Sequence, residues 1–255
     1  MLQAANLADL DHIRHGFFTR AGGVSRGEFA SLNCGYSGGD DPMLVERNRA
    51  LALEALGAAP ASLCTVRQVH GAAVVVARVA EPGRPSRSAD ALVTDRPGLT
   101  LGVLSADCAP VLLAEHAAGV IGAAHAGWRG ALAGVVEATV QAMASLGARP
   151  ERISAAVGPC IAQSSYEVGP DLHQPVVAED PECAALFLPV PGCDRLLFDL
   201  NGYVLRRLAR AGVADHHALA EDTCADEAHF FSARRTRRRG SERFGLMLSA
   251  ITLAD

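Results

Sequence analysis

The stretch LTLGVLSADCAPVLLAEHAAGVIGAAHAGWRG, residues 99–130, decides how this chain folds. Three apolar runs lie in it, residues 99–104, 111–113 and 120–124, each too short for a helix and bounded by turn-forming residues. Runs of this kind read as strands buried on both faces or packed beneath helices. Cys108 follows the first run and His125 the third, so both fall in the breaks beside strands, where sites are commonly built.

Downstream, residues 131–146 carry apolar side chains at helical spacing up to Gly147, so the glycine-bearing segment 127–130 is expected to enter a helix N-terminus. Free backbone N–H groups there favour an anion. Residues 153–157 read as a strand, 200–211 as a helix stopped by Gly212, and 244–253 as a closing strand. Upstream, residues 63–69 and 74–79 are two strand-like runs around His70 and Gly71, consistent with a hairpin or tight corner that leaves His70 at an exposed strand end. Asp41, Pro42 and Gly57 supply the cap, first position and stop of a helix. Residues 16–19 suggest a short strand, and 20–41 a long, glycine-rich loop. This mixed order predicts an α/β (α+β) fold: a mixed β-sheet core with flanking helices in a single domain over residues 1–255.

Composition narrows the function. With 23 basic against 28 acidic residues the net charge is −5, which disfavours nucleic acid or an anionic membrane as partner and leaves small-molecule chemistry. Every basic residue is an arginine, so Schiff-base, pyridoxal-phosphate and P-loop mechanisms, all of which need a lysine amine, are excluded. Seven scattered cysteines without a CxxC pair point to reduced thiols, and the N-terminal residues lack a secretory pattern. The apolar segment around residues 99–120 is interrupted by Asp107, Glu115 and His116 and does not suit a bilayer span. A cytoplasmic protein is expected.

His70, Cys108 and His125 combine two imidazoles with one thiol. Such a set can hold zinc with a fourth position open, or act as a cysteine nucleophile with a histidine base. Taken singly, each has an ordinary alternative as a surface or core residue, and Cys108 as an inert buried thiol. Asp107 reads as a helix cap or as a carboxylate orienting a ligand imidazole. Trp128 can simply pack on the sheet, while Arg129, beside the glycine-rich helix entrance, suits phosphate or carboxylate. Arg234, Arg235, Arg237, Arg238 and Arg239 form a basic run whose usual fate is a solvated loop, although the first two can reach into a site.

Seven segments together resemble the laccase-domain family: HGFFTRAGGVSRGEFASLNCG (15–35), GDDPMLVERNR (39–49), RQVHG (67–71), ADALVTDRPGLTLGVLSADCAPVLL (89–113), AAHAGWRG (123–130), VGPCIAQSSYEVG (157–169) and FFSARR (230–235). Members of that family carry the names multicopper polyphenol oxidase, purine nucleoside phosphorylase and peptidoglycan editing factor. The resemblance implies a fold of the cytotoxic-necrotizing-factor-like cysteine hydrolase type. It implies a zinc site on His70, Cys108 and His125, serving catalysis as well. It also implies a purine nucleoside pocket with phosphate beside the metal, for which Asn33, Arg47 and Arg234 or Arg235 are the matching positions.

The activity so implied is zinc-dependent phosphorolysis of adenosine, inosine, guanosine or methylthioadenosine, with adenosine deamination as a possible second reaction. A Cys–His hydrolase acting on peptidoglycan precursors is the alternative. A copper-dependent polyphenol oxidase is less favoured, because only two histidines stand in the matching motifs; a structural triad in a non-enzymatic binding protein is the remaining reading. Two departures fall near the C-terminus: Ala233 stands where the family usually has an aromatic, and the following loop is unusually rich in arginine.

Overall fold

A computed structural model describes residues 1–254. The chain begins with α1 (Ala5–Ala8), β1 (Ile13–Phe17), α2 (Pro42–Leu56), β2 (Leu63–Cys64), β3 (Val74–Val76) and β4 (Ala91–Thr94). Its centre holds β5 (Thr100–Ser105), β6 (Ala109–Glu115), β7 (Val120–Ala126), α3 (Trp128–Leu132), α4 (Val135–Ser145) and β8 (Ser154–Val157). There follow β9 (Glu167–Val168), α5 (Pro170–Glu179), β10 (Phe187–Pro189), β11 (Leu196–Phe198), α6 (Leu200–Arg210), β12 (Asp215–Ala218), α7 (Ala233–Arg238) and β13 (Met247–Leu253).

Six strands form one sheet in the order β12-β8-β6-β7-β4-β3, four form a second in the order β1-β13-β5-β2, and β10-β11-β9 make a small third. The three apolar runs of residues 99–130 became β5, β6 and β7, with β6 and β7 an antiparallel hairpin from Ala109↔Ala126 to Glu115↔Val120. Alternation along them explains why they are apolar throughout. Val111 and Leu113 of β6 join the core beneath α4 and α6, whereas Leu112 and Ala114 join the core shared with Leu101, Val103 and Ile251 of the four-stranded sheet. On that sheet's other face, Leu104, Leu248 and Ala250 pack with Leu53 and Leu56 of α2. The layers are therefore helix, sheet, sheet, helices, and the mixed α/β expectation holds.

Local signals decided most elements. Asp41 caps α2 by accepting from Met43 N at 2.9 Å, and Gly57, at φ 73°, ends it in the left-handed conformation. The helix expected over 131–146 is instead two, because it starts at Trp128 and breaks at Gly134, whose φ is 93°. Residues 63–69 and 74–79 are not a hairpin: β2 pairs with β5 in one sheet and β3 with β4 in the other, both parallel. The apolar runs fixed strand propensity but carried no information about partners. The segment expected to close the fold is central, since β13 lies between β1 and β5, and it starts only at Met247. β1 lies three residues earlier than the 16–19 run suggested. Among the described residues no helix is long and apolar enough to cross a membrane.

Candidate metal site and its cavity

Three separate segments bring His70, Cys108 and His125 together, and their ligand atoms all lie within 4.8 Å of one another. His70 sits at the corner between β2 and β3 with φ 61°, a left-handed conformation that turns its side chain out of the strand path. Cys108 occupies the turn joining β5 to β6, just after Asp107 at φ 89°. His125 lies within β7, not beyond it, opposite Pro110 of β6. The two imidazoles meet edge to face with centroids 4.9 Å apart. Gly127 is needed by this proximity: a Cβ there would stand 2.8 Å from Cys108 Sγ and 3.2 Å from His70 Cδ2.

Asp90, which the motif reading did not single out, ties this cluster together. Fully buried just before β4, its carboxylate accepts from the backbone N–H groups of Val69 (3.1 Å), His70 (2.9 Å) and Gly71 (2.7 Å). It also pairs with His125 Nδ1 at 2.9 Å, leaving Nε2 for a ligand. One carboxylate thus fixes the corner carrying one histidine and the ring of the other. The sequence signal available was an acid directly preceding the apolar strand ALVT. Asp107 has no such role, and it is no N-cap either: in the turn between β5 and β6 it accepts from Thr223 Oγ1 at 2.8 Å and from Arg234 N at 2.6 Å, tying that turn to the start of α7, whose own N-cap is Ser232.

Charge is distributed accordingly. Burial alone would raise the Cys108 thiol, but the charge and hydrogen bonds of His125 and His70 bring it down to about 6. Burial would lower His125; the Cys108 charge and the Asp90 hydrogen bond outweigh it and raise the imidazole to about 9. A thiolate beside two imidazoles, facing a cavity, matches the donors of a three-ligand site with an open position, and uptake of a metal would release the His125 proton. The same pairing has the form of an activated nucleophile, base and orienting carboxylate.

The cavity in front of the cluster is about 650 Å³ and carries four aromatic side chains, Tyr36, Trp128, Tyr166 and Phe244, on its walls. Arg129 lines it and stacks on Trp128, its guanidinium carbon 4.5 Å from the ring centroid. Arg234 also lines it, held by Glu167 O at 2.8 Å and the face of Tyr166. Arg235 does not: its guanidinium donates to the carbonyls of Thr223, Cys224 and Phe230 and belongs to the fold. Nor does Arg47, which is exposed and 3.5 Å from Glu54. Arg49, two positions along α2 and hence on another face, is the residue that reaches the cavity. Asn33 is buried outside the cavity wall, its amide joining Gly35, Asp40 and the N–H of Leu246.

Comparison with known proteins agrees with this architecture. The family described as multi-copper polyphenol oxidoreductase laccase matches residues 14–254. A purine nucleoside phosphorylase of Deinococcus radiodurans is 46% identical over 238 residues, covering 92% of this chain and 87% of that protein. One of Streptomyces coelicolor is 44% identical over 226 residues, covering 88% and 91%. The solved structure of a Neisseria meningitidis protein superposes with a TM-score of 0.86 at 35% identity and covers 96% of both chains. On a family match spanning almost its whole length, and with relatives this similar, the chain belongs to the multi-copper polyphenol oxidoreductase laccase family.

Proposed function

We propose that this protein is a metal-dependent purine nucleoside phosphorylase, with residues 1–255 forming one catalytic domain. Its substrates are adenosine, inosine, guanosine or methylthioadenosine together with phosphate, and its site of action is the cytoplasm. The observation that carries the reading is the convergence of the His70, Cys108 and His125 cluster with Arg129 and Arg234 in one aromatic-walled cavity. The names of the relatives supply the substrate class.

His70, Cys108 and His125 would hold the metal, and zinc suits two nitrogens and one thiolate. When bound, the metal supplies a Lewis acid for an oxygen nucleophile. Arg129 and Arg234 hold phosphate and neutralise its charge, each guanidinium plane fixed by the aromatic beneath it. The aromatic rings flank the purine. In the reaction the C1′–N9 bond breaks with its electron pair going to the purine, which takes a proton, while a phosphate oxygen bonds to C1′ to give ribose 1-phosphate. Adenosine deamination at the same cluster replaces phosphate with water and releases ammonia.

One group of three or more metal-capable side chains occurs among the described residues, whereas polyphenol oxidation by multicopper chemistry requires several centres. The copper oxidase reading is therefore disfavoured by the donor set. A second reading does have a specific observation behind it. The low-lying Cys108 thiol, His125 and Asp90 are aligned as nucleophile, base and orienting group, which suits a hydrolase acting on peptidoglycan precursors.

A substrate panel with and without phosphate tests these readings. Phosphate-dependent appearance of free base and ribose 1-phosphate is expected, and inosine formed from adenosine without phosphate would establish the deaminase. Turnover retained after complete chelation, with covalent trapping of Cys108, would replace the phosphorylase by the hydrolase.

A further inference from the structure

The cavity carries more positive charge than a neutral nucleoside and one phosphate require. Although the chain's net charge is −5, the cavity is lined by Arg49, Arg67, Arg84, Arg129, Arg234 and Arg237, and its one lining acid, Asp107, is engaged through both oxygens. Four of these arginines fall into two groups, while Arg67 is bonded to Ser88 and Arg237 is paired with Glu242. Near the metal-capable cluster, the Tyr166 phenol is raised by burial and then by the Cys108 charge, with Arg234, Asp107 and Arg129 also acting on it. Burial likewise raises the Tyr36 phenol, but the charges acting there are Arg49, Glu46 and Arg84, a separate set.

This second group has unused donors. The guanidinium carbons of Arg49 and Arg84 lie over the Tyr36 ring, 4.5 and 5.3 Å from its centroid. Arg49 is 6% exposed; its Nε donates to Cys34 O at 2.8 Å and its Nη1 to Gly83 O at 3.2 Å. Its Nη2, however, is buried without a partner, and so is the Tyr36 hydroxyl. Leaving two such groups unpaired in a folded interior is costly, which marks them as reserved for an acceptor. Arg84 is exposed at the cavity wall beside the same ring and adds a further donor group. Glu46, the carboxylate acting on this group, is itself exposed on α2.

Building on the purine-nucleoside reading, we infer that Tyr36, Arg49 and Arg84 form a second anion subsite, and that the cavity takes purine nucleosides carrying a 5′-phosphate monoester. The base and ribose lie toward the metal-capable cluster, and the ester phosphate accepts from the two guanidiniums and the phenol. Arg84 can meet a phosphate monoester bidentately while Arg49 Nη2 and the phenol each give a single contact, and the two charges raise affinity without any change at the reacting bond.

Isothermal titration of the full-length protein with adenosine, adenosine 5′-monophosphate and inorganic phosphate separately tests the subsite. Arg84→Ala and Tyr36→Phe are the variants of choice, since the buried Arg49 also supports the fold; circular dichroism confirms that both are folded. The expected result is at least tenfold tighter binding of the monophosphate than of adenosine, the ratio falling below threefold in Arg84→Ala and decreasing in Tyr36→Phe. Equal affinities in the wild type, or a ratio that neither variant changes, overturn the subsite. It is also overturned if inorganic phosphate alone depends on Arg84 while the monophosphate gains nothing over adenosine. In those cases continued phosphate-dependent release of base leaves the phosphorylase reading standing. Conversely, an Arg84-dependent preference in a protein that cleaves no nucleoside supports the subsite and rejects the phosphorylase. Binding of neither purine ligand overturns both.

Discussion

The two sides of the cavity are built differently. On the strand side, His70, Cys108 and His125 are positioned by the β6–β7 register, two left-handed turn residues and a buried carboxylate that reaches both histidine segments. On the arginine side, guanidiniums rest on aromatic faces and backbone carbonyls, and near neighbours in sequence diverge. Arg234 faces the cavity while Arg235 is bound into the fold; Arg49 faces it while Arg47 pairs with Glu54 in solvent. Scarce residue types at strand ends announce a site by their chemistry, whereas abundant arginines do not. Their function is assigned by orientation alone.

The sharpest way to break this contrast is to remove a strand-side donor. Cys108→Ala or His125→Ala is expected to abolish stoichiometric metal and lower phosphorolysis on the order of 10³-fold or more, because a metal-held contact contributes several kcal/mol to the transition state. Metal analysis of protein purified without chelator, alongside base release, checks it. A Cys108→Ala protein with undiminished metal would mean that the cluster is a structural arrangement of side chains.

Next in size is the split between adjacent arginines. Arg234→Ala should weaken the use of phosphate by about 2–4 kcal/mol while nucleoside affinity changes little. Arg235→Ala should leave the phosphate KM alone and instead lower stability, because three buried carbonyls lose their donor. Steady-state kinetics with varied phosphate, paired with urea unfolding, separates the two. Equal kinetic effects from both variants would erase the distinction drawn between them.

A smaller effect is expected at Asp90, which acts through other residues. Asp90→Asn should weaken metal affinity by roughly 10- to 100-fold, as loss of a carboxylate behind a ligand imidazole does. The amide also sets an N–H group against backbone donors at Val69, His70 and Gly71, so the thermal midpoint should fall. Competition with a chromophoric chelator measures the first and calorimetry the second. Unchanged metal affinity in a destabilised protein would confine Asp90 to holding the corner.

The smallest expected effect lies away from the cavity and guards against misreading acid inactivation. His15 is fully buried, its Nε2 accepts from Ala4 N at 2.8 Å, and burial pushes it down from 6.5 to about 4. The folded state therefore favours the neutral ring. Its contribution is complete above pH 6.5 and is lost as pH falls toward 4, on the order of 1–2 kcal/mol by pH 5. Urea midpoints at neutral and acidic pH should differ less in His15→Gln; an identical pH slope would assign acid sensitivity to other groups.

What the sequence determined by itself was local. Burial of β6 and β7 on both faces, the Asp41 cap, the Gly57 stop and the rare donors His70, Cys108 and His125 follow from a few consecutive residues and their conformational preferences. Tertiary structure alone decided that residues 63–69 and 74–79 feed different sheets, because strand propensity does not choose a partner. It also decided which arginines face the cavity and made Asp90 the tie between the two histidines. That carboxylate's four contacts join the corner at residues 69–71 to β7, and such a network exists only once distant segments are packed out of water.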